Sequence, residues 1–295
     1  MTKREKNTVN DRTTGDGIEQ LQKVINVHKP DTGRGTRCIL IGVCTIFLLI
    51  MLVMPLIIVV INSLRDGWNA YKNAVLDEYT VSALVLTLEA MVFAVIVNTI
   101  FGVVASWLLS KFYFKGRSMI VALIDIPFSI SPVLGGLIFI LTYGNMGLLG
   151  DFLKNHGIKI VFAVPGIILV TIFVTMPLVF RELFPVMNAT GKDEEEAAGL
   201  MGASGLTIFR KITFPHIKWA LLYGIILCAA RAIGEFGAVS AISGHLRGKT
   251  NTLSLHVEIL YNEFNTTAAF AVSSILVLLA ILMLILRNLI EWKRK

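Results

Sequence analysis

The sequence contains six apolar runs, each long enough to cross a lipid bilayer as a helix. They lie at about 38–62, 80–109, 118–142, 160–180, 217–241 and 268–289. About 20 helical residues span a hydrocarbon core roughly 30 Å thick. Inside that core every backbone amide must be hydrogen-bonded within its own segment or a closed barrel, so such runs predict helices. We therefore expect an all-α integral membrane protein with six transmembrane helices.

The composition and the chain ends agree with this class. Only 16% of the residues are charged, whereas soluble domains typically carry about 25%. Residues 1–37 are polar and lack an apolar segment of their own, so they predict a cytoplasmic tail before an uncleaved anchor at 38–62, not a signal peptide. A single membrane domain over 80–289 and a cytoplasmic C-terminus at 290–295 complete the predicted organisation.

The distribution of basic residues predicts the orientation. Of the 27 lysines and arginines, 20 lie in or beside the N-terminal tail, the loops after the second and fourth runs, and the C-terminus. Because excess Lys and Arg mark the cytoplasmic side, both termini and the loop at 192–216 are predicted to be cytoplasmic. This asymmetry accounts for the net charge of +7, so the charge does not require a nucleic-acid partner.

Proline and glycine interrupt the third and fourth apolar runs. The segment IPFSISPVLGGL, residues 126–137, contains Pro127 and Pro132 and ends near two glycines, and the fourth run contains Pro165 and Pro177. Two interpretations remain open at this point. The helices are interrupted beside a translocation pathway, or they are kinked and neighbouring helices accommodate the kinks.

The loop KDEEEAAGLMGASGLTIFRKITFPH, residues 192–216, is the longest polar stretch among the apolar runs. Asp193, followed three residues later by Glu196, predicts a capped helix with an acidic first turn. Gly202 and Gly205 predict a break, and a second helix is predicted to end at Pro215. The expected product is a helix-turn-helix element at the membrane surface, for which an amphipathic connector is one interpretation.

The spacing of six residues in this element resembles the EAA loop of ATP-binding-cassette importer permeases. They are Glu196, Ala197, Ala198, Gly202, Ile212 and Pro215. One departure is Phe214, where the family pattern usually has Leu. The segments FRELFPVMNATGKDEEEAAGLMGASG, HIKWALLYGIILCAARAIGEFGAVSAISGHLRGKTNTLSLHVEILYNEFN and AAFAVSS are similar to sulfate/thiosulfate importer permeases of the CysW type, and the similarity covers about residues 40–290.

The resemblance implies a type I ABC importer permease fold in the bacterial cytoplasmic (inner) membrane. It implies a second homologous permease subunit, two ATP-binding-cassette ATPase subunits and an external sulfate-binding protein as partners. ATP and Mg²⁺ are then bound by the partner ATPase, and this chain binds no cofactor. The resemblance further implies that Glu196, Ala197, Ala198 and Gly202, by their positions in the motif, couple the permease to the ATPase.

Other functions remain as alternatives. The segment GEFGA resembles molybdate permeases as well, so another oxyanion is an alternative substrate, although HVEILYNEF fits the sulfate type better. A channel or secondary transporter would need no ATPase partner. A membrane enzyme is a further class, but no catalytic set of nucleophile, base and acid can be assembled from the sequence.

Three ionisable residues lie inside predicted spans: Glu89 in the second, and Arg231 and Glu235 in the fifth. Such groups are costly in a membrane and are functional candidates by default. One interpretation is that Arg231 is neutralised by Glu235 one turn on, or by Glu89, in an ion pair that only holds the bundle together. The other is a partly compensated positive site on the path of an anion. Arg four residues before Glu is the poorer orientation for a pair within one helix, which favours a partner such as Glu89.

Two further patterns do not predict sites. The segment GHLRGKT, residues 244–250, is one residue short of a phosphate-binding loop and follows no strand, so ATP hydrolysis is assigned to another chain. The five histidines do not cluster with cysteines or carboxylates at metal-ligand spacing, so no metal site is predicted.

Overall fold

The computed structural model describes residues 34–294, so the predicted tail at 1–37 lies almost entirely outside the described residues. The described part of the chain divides into two compact units, with the boundary between Pro55 and Leu56. Within the described residues every regular element is helical. The helices are α1 Gly35–Ser63, α2 Trp68–Leu76, α3 Glu78–Lys111, α4 Arg117–Ser129, α5 Pro132–Tyr143, α6 Gly150–Asn155, α7 Val164–Ala189, α8 Asp193–Leu200, α9 Gly205–Ile233, α10 Gly237–Ser243, α11 Leu253–Asn262 and α12 Thr266–Arg294.

Five helices are long and apolar enough to cross a membrane, namely α1, α3, α7, α9 and α12. The short helices α4 and α5 pass the same test only together, and they are bent by 106° relative to each other. The described chain therefore has six spans if this pair counts as one. The class predicted from the apolar runs is confirmed, with one span broken in two.

The predicted span over 118–142 is interrupted, and the interruption lies just before Pro132. The ring of a proline disfavours the helical conformation of the residue before it. Ser131 accordingly has φ −56° and ψ 132°, and Ile130 is extended as well. Proline is well tolerated at the start of a helix, where no hydrogen bond to its nitrogen is needed, and α5 begins at Pro132. Of the two interpretations of this segment, the structure shows the interrupted helix.

The fifth predicted run, 217–241, is interrupted too. Helix α9 ends at Ile233, and residues Gly234, Glu235 and Phe236 separate it from α10. The Glu235 carboxylate accepts a hydrogen bond from the backbone N–H of Ala238 at 2.8 Å. An acidic side chain in this position satisfies a free donor of a new helix and favours its start.

The predicted helix end at Pro215 is also wrong, since α9 runs through this residue. A proline inside an α-helix removes one hydrogen bond, and its ring collides with the carbonyl four residues earlier. Helix α9 avoids the collision with a π-helical turn at Phe209–Thr213, where the N–H of Phe214 bonds to the carbonyl of Phe209. The second helix of the helix-turn-helix element is therefore continuous with a membrane span.

The interior is formed mainly by α3, α7 and α9. Asn98 of α3 is fully buried, and its side-chain amide donates to the carbonyl of Ile172 at 3.1 Å and to the hydroxyl of Thr175 at 2.8 Å, both on α7. The same amide nitrogen lies 3.7 Å from the sulfur of Cys228 on α9. In an apolar interior such hydrogen bonds join helices and fix their relative positions.

The two ends of the bundle carry different elements. At one end, here called the α8 end, Arg117 at the start of α4 donates to the Asn188 side chain of α7 at 2.9 Å. At the other, the α11 end, the Tyr71 hydroxyl of α2 lies 3.0 Å from that of Ser274 on α12. The assignment of the α8 end to the cytoplasm remains a prediction from the basic residues.

We predict that Gly136→Ala lowers the free energy of unfolding by about 1–3 kcal/mol, the usual cost of overpacking. A Cβ atom at Gly136 would lie 2.5 Å from the Ala238 carbonyl oxygen and 2.8 Å from the Ala241 Cβ, both on α10. At Gly135 the nearest contact would be 3.5 Å, to the Phe173 ring. Gly135→Ala is therefore the matched control, with the same gain in helix propensity. Denaturant unfolding of the purified protein in detergent measures both, and equal stabilities would contradict the close packing of α5 on α10.

Candidate functional site

The helix-turn-helix element at the α8 end has the predicted turn but a different cap. Asp193 does not cap α8: it is the first helical residue, and Lys192 before it makes no side-chain capping bond. The acidic side chains of the first turn still lie at the positive end of the helix dipole. The side chain that does cap a helix here is that of Ser204, whose hydroxyl accepts from the N–H of Thr207 at 3.4 Å before α9.

Gly202 makes the turn between the two helices. Its φ is +86°, a conformation that residues with a Cβ atom rarely adopt. Its N–H bonds to the Gly199 carbonyl, and the N–H of Ala203 bonds to that of Ala198. Hydrogen bonds of this kind close the last turn of a helix. The predicted break therefore depends on a glycine at position 202.

The motif residues are not all accessible. Glu196 and Ala197 are exposed, as are Gly202 and Pro215, whereas Ile212 is half-buried. Ala198 is buried within this chain, so it packs the element internally and does not face a partner. The structure thus brings part of the motif to the surface and uses Ala198 for packing.

The most exposed apolar residues of the element were not identified from the sequence. Leu200, Met201 and Leu206 are 91%, 83% and 79% exposed, and they flank the Gly202 turn. We call these three residues the apolar tip. The sequence indicates them only weakly, because the pattern is no more than apolar residues on both sides of a short turn that contains glycine. An exposed apolar group of this kind marks an interaction surface more often than a free one.

Arg231 pairs with Glu235, not with Glu89. The guanidinium Nη1 lies 2.6 Å from the carboxylate of Glu235, whose side chain is 1% exposed. The expectation from pair orientation is wrong because Glu235 lies beyond the end of α9, so the rule for residues within one helix does not apply. The Arg231 side chain remains 38% exposed.

Glu89 lies on the exposed face of α3 and makes no ion pair with the side chains that the structure describes, those of residues 35–292. Its neighbours on that face are Val85, Val92 and Phe93, all exposed. A carboxylate on an apolar helix face at membrane depth is unfavourable in lipid. This face of α3 therefore favours contact with another protein surface or with water.

A second ion pair inside the helices was missed. The Nε of Arg181 on α7 lies 2.7 Å from the carboxylate of Asp125 on α4, and its guanidinium stacks on the Phe128 ring at 4.3 Å. The fourth apolar run ends at residue 180, so hydropathy alone would place Arg181 in the following loop. The helix continues to Ala189.

A polar cavity of about 460 Å³ opens at the α11 end. Its charged and aromatic lining residues include Asp66, Asp77, Tyr79, Arg247, His256 and Glu263. His256 is buried, and its Nε2 lies 3.1 Å from the hydroxyl of Thr80. That hydroxyl donates to the Ala74 carbonyl at 2.8 Å, so it must accept from the ring nitrogen. We infer a neutral His256 with its proton on Nε2.

The environment of His256 disfavours its charged form. Burial lowers the pKa of His256 from its usual value, and the nearby Arg247 lowers it further. The carboxylates of Asp77 and Glu263 act in the opposite direction but do not reverse the shift. At neutral pH this ring therefore acts as a hydrogen-bonding group that joins α11 to α3.

Comparison with known proteins adds the following. A family model described as "Binding-protein-dependent transport system inner membrane component" matches residues 98–295. The chain is 44% identical over 254 residues to the sulfate transport system permease protein CysW of Escherichia coli (strain K12), covering 86% of this chain and 87% of that protein. It is 33% identical to the permease protein CysT of Salmonella typhimurium, covering 85% and 91%.

One solved structure has the same fold. It is a bacterial alginate ABC transporter in complex with an alginate pentasaccharide-bound periplasmic protein, and one of its chains matches with a TM-score of 0.71 at 15% identity. The match covers 85% of this chain and 91% of that one. At this level of identity the likeness concerns the fold alone.

We predict that the protein loses stability as the pH falls through about 6.5, the usual pKa of histidine. The folded-state pKa of His256 is lowered, so the unfolded chain binds the proton first and is stabilised relative to the folded one. His256→Gln should flatten this dependence in unfolding experiments between pH 7.5 and 5.5. The control is His156→Gln, which changes an exposed histidine at the end of α6. An unchanged slope in His256→Gln would contradict the neutral buried ring.

Proposed function

This chain belongs to the family of binding-protein-dependent transport system inner membrane components, and we propose that it is a permease subunit of an ATP-driven importer of sulfate or thiosulfate. The observation that carries the proposal is the 44% identity to CysW over 86% of the chain. Its place is the inner membrane, as the family description and the membrane-spanning helices indicate. Molybdate or another oxyanion is the alternative substrate.

The permease is proposed to supply the translocation pathway, whereas ATP hydrolysis takes place on other subunits. ATP and Mg²⁺ would be bound by two ATPase subunits on the cytoplasmic side, and an external sulfate-binding protein would deliver the anion at the α11 end. The solved relative that shares the fold is bound to a periplasmic protein, which supports such an assembly. The division of labour also agrees with the absence of a phosphate-binding loop from the sequence.

The helix-turn-helix element is proposed to dock on an ATPase subunit. The apolar tip of Leu200, Met201 and Leu206 would enter a cleft of that subunit, with Glu196 and Ala197 exposed beside it. Burial of three apolar side chains supplies most of the attraction in contacts of this type. A rigid element seated in a cleft transmits the closure of the ATPase as a single movement, which a flexible loop would not.

A second, homologous permease is proposed to cover the face of α3 that carries Glu89. Similarity to two differently named sulfate permeases, CysW and CysT, supports an assembly with two kinds of permease chain. Contact with that subunit, or a water-filled pathway between the two, would remove the cost of placing the exposed Glu89 carboxylate in lipid. In either arrangement Glu89 faces the interior of the complete importer.

The proposal is tested by uptake of radiolabelled sulfate in a bacterial strain without its own sulfate permeases. The chain is expressed with its ATPase, its second permease and its binding protein, and again without the chain. We expect uptake only in the complete set, with competition by thiosulfate. Uptake that survives loss of the ATPase would indicate a channel or secondary transporter, and uptake competed only by molybdate would support the alternative substrate.

Gly202→Val is predicted to lower uptake at least about tenfold, since a left-handed conformation costs a residue with a Cβ atom about 1–2 kcal/mol and the turn must change to relieve it. Membrane insertion, measured by immunoblot, should be unaffected. Gly116→Val is the matched control: Gly116 has a φ of +96° and open space around it, but lies outside the element. Normal uptake in Gly202→Val would contradict the coupling role.

The Arg231 and Glu235 pair is proposed to be a partly compensated positive site on the anion pathway. Arg231→Gln leaves the buried Glu235 carboxylate without its partner, so we expect lower protein levels and at least about tenfold lower uptake. In Arg231→Gln with Glu235→Gln the protein level should recover while uptake stays low, because no cation remains to attract the anion. Full recovery of uptake in the double variant, measured per inserted protein, would assign the pair a structural role only.

A further inference from the structure

Three helices meet at the carboxylate of Glu195, at the α8 end of the bundle. Lys111 is the last residue of α3, and its ammonium group lies 3.0 Å from Oε1 of Glu195 on α8. The same ammonium also donates to the carbonyl of Gly191, just before α8. Lys111 is only 7% exposed, and lysine is almost never buried at this level without a partner.

The third contact comes from α9. Thr213, at the end of the π-helical turn, is buried, and its hydroxyl donates to the same Oε1 of Glu195 at 2.7 Å. One carboxylate oxygen therefore accepts from α3 and from α9. The π-helical turn that carries the helix past Pro215 thus also provides the third group of this contact.

Removing one partner of this charge pair costs more than removing one partner of the exposed ion pair that α8 also makes. Attraction between opposite charges rises as water is excluded, and removing one partner of a buried pair leaves an uncompensated charge. The neighbouring contact between Glu194 and His216, at 2.9 Å, is 62% and 43% exposed, and exposed pairs of this kind contribute little. Glu195 is the acidic residue of the first turn that is fixed in place.

We propose that Lys111, Glu195 and Thr213 form a joint through which α8 moves as one body with α3 and α9. Helix α9 follows α8 after a four-residue turn, but 80 residues separate Lys111 from Gly191 along the chain. Side-chain contact is therefore what ties α3 to α8 directly. Since α3 also carries Glu89, a displacement of α8 by an ATPase reaches the membrane face of α3 through this joint.

The inference rests on the proposed function, because it assumes that an ATPase displaces α8. The three residues act by positioning helices and do not touch the transported anion. The joint predicts a specific defect. A permease with a broken joint binds its ATPase and permits hydrolysis, but ATP is consumed without transport.

The test uses the complete importer in proteoliposomes, with the anion transported per ATP hydrolysed as the readout. Lys111→Met should lower this ratio about tenfold, which lies within the range of effects of mutations along a coupling network. Assembly with the ATPase should be unchanged. Lys111→Arg, which keeps a cation for Glu195 and a donor for the Gly191 carbonyl, should retain more of this ratio than Lys111→Met. A permease with only a general folding defect would lose assembly and hydrolysis together, with the ratio unchanged, and that result would overturn the proposal.

Two more variants show whether the defect is specific to the joint. Thr213→Val is close in shape and keeps the ion pair, so it remains informative if Lys111→Met does not insert, and it should lower the ratio by a smaller factor. Glu291→Gln breaks the exposed pair with Arg287, of 3.2 Å, near the end of α12. It is the matched control and should leave the ratio unchanged. The joint would be refuted if Thr213→Val, and Lys111→Met that has inserted into the membrane, both transported as much anion per ATP as the parent chain.

A second readout does not depend on the substrate. Hydrogen exchange of the complete importer is measured with and without ATP and vanadate. Nucleotide should change exchange in α8 and in the last turns of α3, and in Lys111→Met only in α8. Failure of the parent importer to carry sulfate, with these linked changes present, would overturn the proposed substrate and leave the joint intact. Linked changes that persist in Lys111→Met would overturn the joint.

Discussion

The backbone of a membrane helix cannot be interrupted in lipid without leaving polar groups unsatisfied, and this constraint explains how the two broken spans are arranged. The break between α4 and α5 and the break between α9 and α10 lie against each other. A Cβ atom at Gly237 would lie 3.1 Å from the Pro132 side chain, and Gly136 packs on the Ala238 carbonyl. The first residues of α5 and α10 thus pack against each other beside the two breaks, and glycine makes this close approach possible.

The existence of the helices could be predicted from the sequence because span length and apolar composition suffice for it. The positions of the breaks could not be predicted, because hydropathy carries no information about backbone conformation. Pro132 was visible as a breaker, but Pro215 looks the same in sequence and does not end its helix. The difference is a π-helical turn before Pro215, which depends on the packing of α9 and not on a local residue preference. Arg181 was misplaced for a related reason: its helix extends beyond its apolar run.

In the candidate site, too, features set by local sequence could be predicted, whereas contacts that depend on the fold could not. The Gly202 turn was readable because a positive φ is a local requirement of one residue. The partner of Arg231 was not, since it depends on α9 ending before Glu235. Nor was the pairing of Lys111 with Glu195 readable, because the two lie far apart in sequence and only the fold brings α3 to α8. Contacts across long sequence separations leave no periodic signal.

The acidic run of α8 therefore has two roles that the sequence does not separate. A helix of eight residues is too short to be stable alone in water, so α8 depends on contacts with the membrane helices. Glu194 and Glu195 supply them, through His216 and through Lys111 with Thr213. Glu196 is exposed and makes no hydrogen bond or ion pair with the side chains described in 35–292. Successive residues of the run thus anchor the helix on one face and leave a carboxylate on the other, beside the apolar tip, where a partner protein can reach it.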